Sequence, residues 1–128
     1  MTPITTIPDA ILEGSTPTIS GTLTNKAGAA IPLASLLTLK LTLYSMSDSS
    51  FPIINSRDAQ DVKNANRVTV GDNGELSWNL DPVDSSILNQ ALGHETHRAI
   101  FAWTYDEGSV EQTGKQIIDF KVKNLQKG

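Results

Sequence analysis

A chain of 128 residues is long enough for one domain with a single hydrophobic core, and 38% hydrophobic with 19% charged residues suits a globular protein. Abundant Thr and Ser with few aromatics favours β structure, while a net charge of −4 argues against sequence-independent binding to nucleic acid. The absence of cysteine excludes disulfides and thiolate metal sites, and no apolar run approaches the roughly 18 residues that cross a bilayer, so no membrane partner is expected.

Residues 1–15 are broken by Pro3 and Pro8, with Ile4, Ile7, Ile11 and Leu12 as sparse apolar anchors. This pattern allows an edge strand or an extended arm whose anchors contact a neighbouring protein. The start has neither the basic residues nor the unbroken apolar run of a secretion signal, so an intracellular, soluble product is expected. Residues 16–128 then form a single domain.

Within that domain, TPTISGTLT alternates Ile19 and Leu23 with polar residues before turn chemistry at 25–28. LTLKLTLYS has the strictest period: Leu37, Leu39, Leu41 and Leu43 are predicted to face one way, and Thr38, Lys40, Thr42 and Tyr44 the other. Tyr44 is therefore a candidate surface contact. FPIIN predicts a short strand with Pro52 at an edge or start, and SRDAQDVKNAN a loop with at most one helical turn.

RVTV, GDNG and ELSWNL predict a hairpin with Leu76, Trp78 and Leu80 on one face. DPVDSSILNQALG is the one helix candidate, a short helix near residues 82–92. Asp81 would cap it, Pro82 would start it, and Val83, Ile87, Leu88 and Ala91 would form its apolar side. The last strand, KQIIDFKVKNL, places Ile118, Phe120 and Val122 together. Its lysines, Lys115, Lys121 and Lys123, join Lys127 in a cluster that suits a defended strand edge.

The stretch GHETHRAIFAWTYDEG holds both histidines. Strand geometry sets Glu95, His97, Ala99, Phe101, Trp103 and Tyr105 on one face and His94, Thr96, Arg98 and Ile100 on the other. The histidines then face opposite ways, and HETH lacks the spacing of a zinc-protease motif. Its polar residues are expected where the strand leaves the core. Glu95 and His97 share a face and could in principle do acid–base work, but no nucleophile elbow or phosphate loop accompanies them. Asp72, Asn73 and Glu75 match only a fragment of a calcium loop. No catalytic residue, metal ligand or cofactor is assigned. Trp78 and Trp103 lie in the apolar register of their strands, with an exposed sugar-stacking platform as the alternative.

About seven short strands joined by Gly- and Asp-rich turns predict an all-β sandwich. The run ILEGSTPTISGTLTNKAGAAIPLASLLTLKLTLYS resembles the start of small immunoglobulin-like β-sandwich proteins of tailed bacteriophages. IINSRDAQDV, VTVGDNGELSWNLDP and HRAIFAWTYDEG…GKQIIDFKV fit the same group, so the likeness spans residues 9–125. The layout is similar to the N-terminal module of phage upper-baseplate proteins and to small head and neck proteins. The resemblance implies an antiparallel, immunoglobulin-like sandwich and a non-enzymatic structural part of a virion. It would decorate the capsid or serve head, neck or tail, in several symmetric copies. Its partners would be other virion proteins, after assembly in the host cytoplasm. A carbohydrate- or receptor-binding module for host attachment is the alternative.

Overall fold

The computed structural model describes the backbone of residues 4–6 and the whole of residues 10–88 and 93–124. Nine strands lie among the described residues: β1 (Ile4–Thr6), β2 (Ile11–Leu12), β3 (Thr18–Thr22), β4 (Leu36–Ser45), β5 (Gln60–Asp61), β6 (Val68–Val70), β7 (Glu75–Asn79), β8 (His94–Glu107) and β9 (Val110–Lys123). They form two sheets. One runs β1-β9-β8-β4-β5, with β2 also against β9, and the other runs β3-β7-β6. The protein is thus mostly β with two sheets, as the alternating patterns predict.

Period 2 builds the interface between the sheets. In β8 every second residue from Glu95 to Tyr105 is buried, and Ile118, Phe120 and Val122 of β9 extend the same face. Leu39, Leu41 and Leu43 of β4 lie beside them. From the other sheet, Trp78 of β7 enters edge-on, its ring 5.7 Å from Phe101 and 6.1 Å from Phe120. Aromatic edges against faces are a favoured packing for such rings.

Several expectations about the fold are corrected. Leu37 is 44% exposed, because the β4–β8 register shifts between Leu36 and Thr38. This bulge inserts one residue, so Leu36 takes the inward place that strict alternation gave to Leu37. Nine strands lie among the described residues where about seven were expected, and the larger sheet is mixed: β1 and β2 run parallel to β9, from Ile4 opposite Ile117 to Leu12 opposite Lys123. FPIIN contributes only an isolated bridge between Ile53 and Tyr44, although Ile54 is buried.

The predicted helix near residues 82–92 is also absent over its described part, where Pro82–Ser85 form turns; residues 89–92 lie outside the described residues. Hydrogen bonding explains why. An α-helix needs the Leu88 N–H to reach the Asp84 carbonyl, four residues back. Instead, Leu88 N–H donates to the Glu95 carboxylate at 3.0 Å, and the Asp84 carbonyl accepts from His97 Nδ1 at 3.2 Å. Asp81 does cap, but it caps a turn, accepting the Val83 N–H at 2.9 Å. Ile87 is buried while Val83 and Leu88 are exposed, so no continuous apolar side forms.

The bulge gives a direct check. Leu41→Ala should cost about 2–5 kcal/mol by opening a core cavity, whereas Leu37→Ala should cost about 0.5 kcal/mol or less. Urea melts of the two variants measure the difference; equal losses would contradict the bulged register.

Candidate functional site

Two of the polar residues expected at the wet end of β8, Glu95 and His97, are in fact interior. Glu95 is 2% exposed and His97 is fully buried, and His97 Nε2 lies 2.9 Å from Glu95 Oε1. Strand alternation correctly puts the two on one face and His94, which is exposed, on the other. That face does not leave the core where the apolar residues stop. The Asp84 carbonyl can only accept, so His97 Nδ1 donates to it. His97 Nε2 and Glu95 then share the next bond, and Glu95 also receives the Leu88 N–H. The His97 ring further packs edge-to-face on Phe120, 5.5 Å between centroids. These groups tie the turn at 82–88 to β8.

Beside them lies a buried ion pair. Arg57 is 2% exposed and Asp84 fully buried. Arg57 Nε donates to Asp84 Oδ1 at 2.6 Å and Nη2 to Oδ2 at 3.0 Å, a two-pronged contact. Asp84 also accepts from Asn55 Nδ2 at 3.0 Å and from the Asp81 N–H at 2.8 Å. Two further guanidinium N–H groups reach Gln60 Oε1 and the Asn66 carbonyl, and the group sits 5.8 Å from the centre of the Trp78 ring. All four acceptor positions of the carboxylate are thereby occupied by donors of the protein itself.

Among the described residues no group of three or more His, Cys, Asp or Glu is placed to hold a metal ion. Asp72 and Glu75 belong to the β6–β7 turn, where Glu75 Oε1 accepts the Asn73 N–H and the Asp72 carbonyl accepts the Leu33 N–H. Gly74 adopts a left-handed φ of 77°, and a Cβ there would lie 2.6 Å from the Ile31 carbonyl oxygen, so the turn needs glycine.

Both tryptophans are core residues: Trp78 is fully buried and Trp103 is 6% exposed. Gly114 stands opposite Trp103, and a Cβ on it would come 2.3 Å from Trp103 Nε1, so the indole fills the space that glycine leaves. The surface aromatics are Tyr44 and the exposed Phe51, edge to face at 5.7 Å. Tyr44 is only partly exposed, in a cross-strand row with Arg98 and Asp119. The bidentate Asp119 carboxylate, at 2.8 Å to Nε and Nη2, raises the Arg98 guanidinium further above its ordinary range.

The candidate contact residues of the N-terminus separate. The backbone of Ile4 pairs with Ile117 of the same chain, Ile11 is turned into the core, and Leu12 is exposed. Ile7 lies outside the described residues. Arg57 and Asp84 carried no signal in the sequence: one stood in an aperiodic loop, the other in the first turn of an expected helix. No helix among the described residues is long and apolar enough to cross a membrane.

Asp84→Ala should cost about 3–5 kcal/mol, because it leaves Arg57 buried without its partner, whereas Asp106→Ala on the exposed hairpin should cost about 0.5 kcal/mol or less. Chemical denaturation compares them. Gly114→Ala should lower stability by about 1–3 kcal/mol and shift the tryptophan emission, since the indole must move; an unchanged spectrum would place Trp103 elsewhere. No protein-family model matches the chain, and no curated protein does.

Proposed function

We propose that the chain is a non-enzymatic, immunoglobulin-like structural component of a tailed-phage virion, decorating the capsid or serving at head, neck or tail. Its partners are other virion proteins, and it works in multiple symmetric copies within the particle. The observation that carries this reading is the use made of the chemistry-bearing side chains. Glu95, His97, Arg57 and Asp84 are buried and bonded to turns and to one another, and so hold loops in place. The fold phrases spread over residues 9–125 supply the family, and the two-sheet architecture is compatible with it.

A second reading, attachment to a host glycan or receptor, draws on Tyr44 and Phe51, whose rings stand together at the surface. The two buried tryptophans contribute no platform to it.

Quantitative mass spectrometry of purified virions tests the first reading. The chain should appear at a fixed copy number set by capsid or portal symmetry, and its absence from particles would refute a structural role. Glycan-array binding that falls on Tyr44→Ala and Phe51→Ala would favour the second.

A further inference from the structure

We propose that two copies of this chain join along the outer edge of β3, Thr18–Thr22, pairing antiparallel about Ser20. The inference goes beyond the virion reading and stands whether or not the chain is a virion part.

The ladder with β7 determines which backbone groups are left over. Leu80 N–H donates to the Pro17 carbonyl and Leu23 N–H to the Gly74 carbonyl, both at 2.9 Å. Bonding groups alternate along an antiparallel strand, so Pro17, Ile19, Gly21 and Leu23 turn theirs towards β7. Thr18, Ser20 and Thr22 turn theirs away. β3 ends its sheet, and among the described residues no strand pairs with that side. β1 and β2, which precede it in the chain, follow β9 in the other sheet. Thr18, Ser20 and Thr22 are all exposed, as is Gly21.

The opposite edge of the same sheet is occupied by its own loop. Val68 N–H donates to the Ala65 carbonyl at 3.1 Å, and Val70 N–H to Asn64 Oδ1 at 2.7 Å. Growth of this sheet is therefore possible at β3.

Edge strands are commonly blunted by lysine, an internal proline or a bulge. β3 has none of these, and residues 14–25 carry no charge, so a second copy approaches without repulsion. The pattern of the strand is also self-complementary. With Ser20 opposite Ser20, Thr18 of each copy meets Thr22 of the other, and each of these pairs exchanges two backbone hydrogen bonds. Threonine and serine pairs across strands are favourable. On the inner face, shared with Leu76 and Trp78, Ile19 of each copy lies against Gly21 of the other. A side chain at Gly21 would meet open space, and the partner's Ile19 covers the backbone that glycine leaves bare. Only this register pairs every residue of both strands. The union is isologous, so it closes at two copies.

Sedimentation equilibrium of the full chain over a concentration series tests the pairing. A rise from the mass of one chain, 13.8 kDa, to that of two is expected. Ser20→Lys and Ser20→Asp each set like charges opposite one another and should weaken self-association about fivefold. Mixing the two variants should restore the two-chain mass, since lysine then faces aspartate. Ser20→Pro removes the outward N–H but leaves the β7 ladder intact, a change that edge strands tolerate, and should weaken association at least as much. Circular dichroism should show all three variants folded, because Ser20 is exposed. A single-chain mass at every concentration, as an edge meant for a different protein would give, overturns the proposal. So does a dimer indifferent to the Ser20 variants, or a mixture that fails to recover.

Discussion

The contact between Arg57 and Asp84 determines where the irregular half of the molecule lies. Removing two charges from water costs several kcal/mol per ion, and only a complete set of hydrogen bonds offsets it. Here the carboxylate accepts four and the guanidinium donates to three different groups. Those bonds come from two separate stretches: residues 55–66, which cover the open side of β4, and the turn at 81–84. The Arg57 carbonyl also accepts the Leu43 N–H at 2.8 Å, so the same residue fastens the loop to the sheet by its backbone. Seven non-glycine residues between Phe51 and Arg67 have positive φ. Such backbone is uncommon and persists where surrounding contacts dictate it.

The histidine–glutamate pair continues this arrangement on the other side of the Asp84 residue. The side chain of Asp84 serves Arg57 while its carbonyl serves His97, so one turn links the loop over β4 with the start of β8. This is a structural use of residues that elsewhere perform acid–base chemistry. The interior is consequently apolar at the centre, around Trp78, Phe101 and Phe120, and polar at one end.

Sequence alone revealed the parts governed by local rules. Alternation in HRAIFAWTY and QIIDFKV, and the hairpin about GDNG, reflect a strand's two faces and a tight turn, which a few adjacent residues specify. It failed wherever a distant partner decided the outcome. The caps and propensities of DPVDSSIL favour a helix, but Glu95 and His97 take the two groups that its hydrogen bond would have joined. The bulge at Leu37 cannot be read from a run of leucines, because either parity of Leu36 and Leu37 fits the pattern. Burial of Glu95 and His97 was missed because polarity suggested solvent, and the groups that satisfy them lie outside the strand.

The parallel pairing of β1 and β2 with β9 brings the first and last strands among the described residues into contact. During synthesis, β8 emerges from the ribosome with its inner face formed but without a neighbour on that side until β9 follows. The earliest residues of the fold must wait longer still, because their partner is made more than one hundred residues after them. Contacts this distant in sequence slow folding and prolong exposure of unpaired strands. Closure of the larger sheet is therefore a late event, and a nascent chain halted before β9 would carry β8 as an open, aromatic-rich edge.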